Sequence, residues 1–184
     1  MQSLKGHLLI ATPQLESTIF ARSVILMLEA SEQAAAGVIL NQPIKTTLTE
    51  LSGKIFAEDF EWDKPISLGG PMASSLMVLH SEELLADKEV IPGVYFTVEP
   101  SKVHELVEQR PEPSLVLANY SAWGPGQLDG ELKRDSWLTL PATREQVFWN
   151  GRQELWRTVF NEVRTRSLAR LLRIRELPAN PGLN

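Results

Sequence analysis

The chain has 184 residues, 43% of them hydrophobic, with 18 basic against 23 acidic side chains and a net charge of −5. This length and apolar content support one domain with a substantial core, and the negative balance excludes nucleic-acid binding by the surface as a whole. No cysteine is present, which excludes disulfides, thiolate catalysis and cysteine-ligated zinc.

The opening residues Met1-Gln2-Ser3-Leu4-Lys5-Gly6-His7 lack the basic and long apolar regions of a secretory signal. The longest aliphatic run, Val24 to Leu28, is too short to span a bilayer, so a cytoplasmic protein with no membrane partner is expected. His7 to Ala11 reads as a buried strand stopped by Thr12-Pro13, and Ser23 to Leu28 as a second. Gly37 to Leu40 is a third, ended by Asn41-Gln42-Pro43. The short Glu29 to Ala36 connection predicts an antiparallel hairpin with a longish loop. Thr46 to Ile55 predicts a helix in which Thr46 or Thr47 caps against Glu50.

Pro65 to Leu68 leads into a turn at Gly69-Gly70-Pro71. Leu76 to Leu79 and Gly93 to Val98 are further strands. Ser101 to Gln109 predicts a helix capped by Ser101, with Val103, Leu106 and Val107 as its apolar stripe. Leu115 to Ala118 is a strongly apolar strand that delivers the chain to Trp123-Gly124-Pro125-Gly126-Gln127, and Trp137 to Leu140 is a last strand. From Thr143 onward Val147, Phe148, Leu155, Trp156, Val159, Phe160 and Val163 recur at helical spacing, with a break near Gly151. Residues 178–184 read as a loose tail after a single domain over 1–177.

A hairpin followed by strands interleaved with helices predicts an α+β (α/β) fold: a mixed, mostly antiparallel, curled sheet with flanking helices. A doubly wound parallel sheet fits less well, because the early strands are too close together for crossover helices.

No motif names a reaction. There is no Gly-x-Ser-x-Gly elbow, and Ser52-Gly53-Lys54 lacks the upstream glycine of a phosphate loop. His104-Glu105-Leu106-Val107-Glu108 has glutamate where a zinc-protease helix needs its second histidine. His80 at a strand end is either a general base or a half-buried histidine bonded to backbone, and the second is expected. Asp59, Glu61 and Asp63 read as a solvated loop rather than a cation site. A binding protein rather than an enzyme is expected, without metal or cofactor.

Strand-end loops are the better lead. Thr12-Pro13, Asn41-Gln42-Pro43, Gly69-Gly70-Pro71 and Gly124-Pro125-Gly126-Gln127 each follow an apolar run and join a proline to small or amide side chains. If they lie at one end of a sheet they form a cleft for a small molecule or anion. In it Trp123 is an apolar wall, Gly124 and Gly126 offer N–H groups, and Thr12, Asn41, Gln42, Gly69, Gly70 and Gln127 give polar contacts. Arg22 is then a clamp for a carboxylate or phosphate. The competing expectation concerns charge: residues 152–175 carry net +5 while the first 151 residues carry −9. A basic amphipathic end containing Arg164, Arg166, Arg170 and Arg173 either touches nucleic acid or an acidic partner, or packs by its leucines onto the acidic body.

The same loops carry a resemblance. Lys5-Gly6-His7-Leu8-Leu9-Ile10-Ala11-Thr12-Pro13, Phe20-Ala21-Arg22-Ser23-Val24, Gly37-Val38-Ile39-Leu40-Asn41-Gln42-Pro43, Gly69-Gly70-Pro71, Val78-Leu79-His80, Gly93-Val94-Tyr95-Phe96 and Trp123-Gly124-Pro125-Gly126-Gln127-Leu128, in that order, resemble the AlgH/YqgE family of uncharacterised bacterial proteins. The resemblance implies a mixed sheet curling toward a barrel. Some members are labelled transcriptional regulators, a label tied to alginate control rather than to a DNA-binding module. This sequence departs from the family's pattern at Ala30, where a polar residue commonly stands, and at Asn119, Ser121 and Ala122 before Trp123. No side-chain ligand at 30 and no glycine at 122 carry over.

Overall fold

Strand β1, His7–Ala11, ends where expected, because Pro13 has no N–H for a ladder and opens a 3-10 turn over Pro13–Leu15. β2, Val24–Ala30, pairs antiparallel with β1 and with β3, Ala35–Ile39. The expected hairpin is therefore present, with its loop shortened to residues 31–34. A computed structural model describes residues 4–50 and 62–171, with side chains through 168.

The remaining strands are β4 (Pro43–Thr47), β5 (Pro65–Leu68), β6 (Met77–His80), β7 (Lys88–Ile91), β8 (Val94–Thr97), β9 (Ser114–Ala118), β10 (Ser121–Trp123) and β11 (Trp137–Pro141). They build two sheets rather than the one expected. The first has the order β10-β3-β2-β1-β11 and is antiparallel throughout. The second has the order β4-β5-β9-β6-β8-β7, with β5 and β9 parallel and its other pairs antiparallel.

The sheets are stitched together at Gly69. Its N–H donates to Ala118 O at 2.8 Å and its carbonyl accepts from Ile39 N at 2.9 Å, which ties β9 of one sheet to β3 of the other. The backbones approach closely here: a Cβ at Gly69 would sit 2.3 Å from Asn119 O, and one at Gly70 2.3 Å from the Tyr120 carbonyl. Only glycine passes at these two positions.

Alternation along the strands sorts the side chains into three cores. Leu8, Ile10, Val24 and Leu26 face Leu79, Leu115 and Leu117 across the space between the sheets. Leu9, Ala11, Ile25 and Met27 enter a second core on the outer face of the first sheet, with Trp123, Leu128 and Trp137. Ile66, Val78 and Val116 line the outer face of the second sheet.

Helices close each core. α1, Pro100–Gln109, buries Val103, Leu106 and Val107 on the second sheet, as its stripe predicts. Its cap is Glu99 rather than Ser101: the Glu99 carboxylate accepts from the N–H groups of Ser101 and Lys102, because Pro100 takes the first helical position, where no donor is needed. α2, Gln127–Lys133, covers the first sheet through Leu128. α3, Arg144–Val147, and α4, Arg152–Leu171, are separated by Phe148 to Gly151, the expected break. α4 packs Leu155 and Val159 into the central core.

Of the helix expected over Thr46 to Ile55, Thr46 and Thr47 belong to β4 and helical backbone begins at Leu48. Thr47 caps it, with reciprocal bonds between its hydroxyl and Glu50 N at 3.4 Å and between Thr47 N and the Glu50 carboxylate at 3.1 Å. The rest of that helix, Ser52 to Lys54, Asp59, Glu61 and the tail 178–184 lie outside the described residues. Among the described residues no helix is long and apolar enough to cross a membrane.

Candidate functional site

Antiparallel register fixes which strand ends meet. The end of β1, the start of β2 and the end of β3 lie together, because Ile10 pairs with Val24 and Ile25 with Ile39. Thr12, Arg22, Asn41 and Gln42 therefore share one end of the first sheet. Gly69 and Gly70 join them through the Ile39 bond. Trp123 pairs with Ala35, at the other end of β3, and carries Gly124, Gly126 and Gln127 with it. The ten candidate residues thus form no single cleft: β10 runs antiparallel to β3 and takes its C-terminal loop away from Asn41 and Gln42.

Most of the polar groups proposed as ligand contacts are spent on closing turns. The Thr12 hydroxyl donates to Asp135 O at 2.8 Å. Asn41 accepts from Val24 N and donates to Arg22 O, each at 2.8 Å, and Gln42 donates to Ile19 O at 3.2 Å. Gln127 accepts from Gly124 N at 3.2 Å and donates to Glu131 at 3.1 Å, so the Gly124 donor is already taken. Arg22 is exposed and pairs with Glu16 at 2.9 Å, with its guanidinium 6.0 Å from the Trp156 ring. A pocket of about 230 Å³ does bring Gln42 and Gly70 together, against Ile19, Ile39, Leu68 and Pro71, and its walls are largely apolar.

A second cavity, of about 200 Å³, opens where β5 and β9 start, beneath the first turn of α4. Lys64, Ser67, Glu112, Ser114, Asn150 and Arg152 supply its polar wall. Lys64 precedes β5, and its side chain is only 15% exposed. Its ammonium donates to Glu112 at 2.5 Å and to the Ser114 hydroxyl at 3.0 Å. Arg152 is the first residue of α4, held half-buried by the packing of Leu155 and Val159 one and two turns on.

The arrangement around Arg152 is unusual. Its Nη1 donates to Val147 O at 3.1 Å and Leu40 O at 3.3 Å. Among the described residues it has no carboxylate partner, and burial alone pushes its pKa down to about 10, which leaves it charged at neutral pH. No buried side-chain nitrogen or oxygen among the described residues lacks a partner, so Nε and Nη2, which have no acceptor, keep some exposure on a residue that lines the cavity. A half-buried guanidinium with a free edge, a second cation, two hydroxyls and an amide form the donor set that an oxyanion needs.

Sequence reading missed this site by taking residues 152–175 as one basic face. The signal was present: Arg152 stands three residues before Leu155 and seven before Val159, on the buried side of the helix. Lys64 had no such mark.

The histidines do not converge. His80 is fully buried; its Nε2 lies 2.9 Å from the Thr97 hydroxyl and its Nδ1 accepts from Glu82 N at 3.2 Å, which is the backbone-bonded histidine expected. His104 lies 3.9 Å from Glu108 on α1. Among the described residues no cluster of histidine and carboxylate side chains could hold a metal ion.

The fold and sequence agree with known bacterial proteins. The AlgH protein of Pseudomonas aeruginosa, a solution structure, superimposes with a TM-score of 0.75 at 26% identity, covering 97% of each chain. A crystal structure from Corynebacterium diphtheriae shares the fold, with a TM-score of 0.69 at 24% identity over 85% of each chain. A UPF0301 protein of Chlamydia caviae is 35% identical over 165 residues, 86% of either chain. One from Shewanella loihica is 32% identical over 164 residues, 85% of this chain and 89% of that one. With the AlgH-like family model matching residues 8–167, the chain belongs to the AlgH-like family.

Proposed function

We propose that this chain is a ligand-binding protein whose ligand is a small oxyanion, a phosphate or carboxylate, held between Lys64 and Arg152. The observation that carries the reading is the Arg152 guanidinium: half-buried, charged, unpaired with any described carboxylate, with donors that have no acceptor, and lining a cavity. Desolvating a charge without a partner is costly, and an entering oxyanion offsets that cost with paired N–H···O bonds. Ser67 and Ser114 add hydroxyl donors, and Lys64 can turn from Glu112 toward the ligand because Glu112 is 66% exposed and finds water.

Binding through the basic C-terminal segment has less support. Arg166 pairs with Glu162 at 2.6 Å, Arg164 lies 5.8 Å from the Phe160 ring, and Arg152 lines the cavity.

The test is thermal unfolding with inorganic phosphate, sulfate and acetate. Phosphate at about a hundred times its Kd adds about 2.7 kcal/mol, which raises Tm by on the order of 5–10 °C. Arg152→Met is expected to abolish that rise while leaving the ligand-free protein at least nearly as stable, because it removes a desolvated charge. If Arg152→Met lowers Tm and phosphate still stabilises the variant, Arg152 only bolts α4 to Leu40 and Val147, and the reading fails.

A further inference from the structure

The Lys64–Arg152 cavity has a neighbour on the other side of Phe148 and Asn150. Phe148 and Asn150 also line a wider cavity of about 460 Å³, whose other walls are Glu145, Trp149, Gly151 and Glu154. The link between α3 and α4 is thus one shelf shared by two chambers. Trp149 stands on it 38% exposed, among the few large apolar side chains that the described surface leaves open. Its indole is held near the backbone of Gly151, where a Cβ would lie 2.8 Å from Nε1.

The two cavities differ in net charge. Lys64 and Arg152 against the single carboxylate of Glu112 leave one net positive, while Glu145 and Glu154 are the only charged side chains among the described residues lining the other. Carboxylates repel an anion and accept hydrogen bonds from amino or hydroxyl groups. The pair of cavities therefore has a polarity: anion at the Lys64–Arg152 side, a neutral and flat donor-bearing group at the Trp149 side. An aromatic platform beside a cationic pocket suits a phosphate carried on a planar ring, since stacking on tryptophan needs only a π face.

We propose that the anion arrives on a planar ring, as in a nucleoside monophosphate or an aryl phosphate, with the phosphate between Lys64 and Arg152 and the ring against Trp149. This rests on the oxyanion reading above and adds the identity of the attached group. Stacking contributes about 1–3 kcal/mol per base, so the ring raises affinity by roughly 5- to 150-fold over bare phosphate.

Calorimetric titration of the whole chain with inorganic phosphate, adenosine 5′-monophosphate, adenosine and phenyl phosphate separates the possibilities. The expected order is the two ring phosphates tightest, then phosphate, with adenosine weakest. Phenyl phosphate matching the nucleotide assigns the site to flat rings in general; the nucleotide ahead of phenyl phosphate assigns the donors of its base and sugar to Glu145 and Glu154. Trp149→Ala is expected to bring the nucleotide down to the affinity of phosphate without changing phosphate, and Trp149→Phe to keep most of the gain. Equal affinities for the nucleotide and phosphate overturn this inference and leave the oxyanion reading standing. Adenosine binding as tightly as its monophosphate, or no binding by any of the four, overturns both.

Discussion

Trp123 and Trp137 donate their indole N–H groups to the same oxygen of Glu131, Oε2, at 2.9 and 2.8 Å. The rings meet edge to face, with centroids 6.3 Å apart, and come from the strands at opposite edges of the first sheet. One carboxylate on α2 thus pins both edges of a curled five-stranded sheet under a short helix, and Trp123 serves this corner rather than a ligand. Glu131→Ala leaves two part-buried donors unmatched. Hydrogen bonds to a charged group are worth about 1.5–3 kcal/mol, and the variant should lose on the order of that much in urea unfolding, with tryptophan emission shifted to the red. Glu131→Gln should lose less, because its amide oxygen still accepts. Full stability in Glu131→Ala would mean that packing alone holds the corner.

Glycines at the two ends of the first sheet do different work, and substitution separates them. A methyl at Gly70 meets the Tyr120 backbone carbonyl carbon and oxygen at 2.3 Å, so the strands that join the two sheets must move apart. Gly70→Ala should cost at least about 3 kcal/mol, the upper range for overpacking, and largely deplete folded protein on expression. At Gly126 the space is open and only the backbone, at φ +70°, is demanding, so Gly126→Ala should cost about 1 kcal/mol. Gly124 has open space and no positive φ, and Gly124→Ala should unfold within about 0.5 kcal/mol of the parent. A large loss at Gly124 would contradict the account of this corner as a turn closed by Gln127.

What the sequence revealed and what it hid divide along physical lines. β1, β2, β3 and β9 announce themselves because both their faces are buried, giving runs such as Leu8-Leu9-Ile10 and Leu115-Val116-Leu117. The strands not foreseen are β4, β7 and β10, and each is the edge of a sheet. An edge strand such as Lys88-Glu89-Val90-Ile91 begins with two charged residues and buries only Val90, so it carries no run to read. The candidate cleft failed for a different reason. Whether Trp123 ends up beside Asn41 depends on β10 pairing with β3 rather than with a neighbour on the other side, a long-range choice that local composition does not encode. Arg152 was the reverse case, legible from its spacing to Leu155 and Val159 but masked by the seven arginines of its segment.

His80 sets an acid limit on stability. The Thr97 hydroxyl gives its proton to Leu85 O at 2.7 Å, so His80 Nε2 must carry the proton that it shares with Thr97. Nδ1 then accepts from Glu82 N, and both ring nitrogens are satisfied only when the ring is neutral. Burial holds its pKa at about 4 against the ordinary 6.5, with the attraction of Asp87 opposing the shift. Because the folded value lies below the unfolded one, the contribution is complete above pH 6.5 and is lost as pH falls from there through 4. That shift corresponds to about 3 kcal/mol at its full extent. Glu99, held below the usual carboxylate range by the Ser101 hydroxyl and the Lys102 and Ser101 N–H groups, gives up its contribution only below its ordinary 4.5, so the fall between pH 6.5 and 4.5 belongs to His80 and not to Glu99. Urea unfolding of the parent should therefore weaken steadily between pH 6.5 and 4.5, whereas His80→Asn, less stable at pH 7, should stay nearly level over that interval. A parent curve parallel to that of His80→Asn would show that the buried ring does not govern the acid limb.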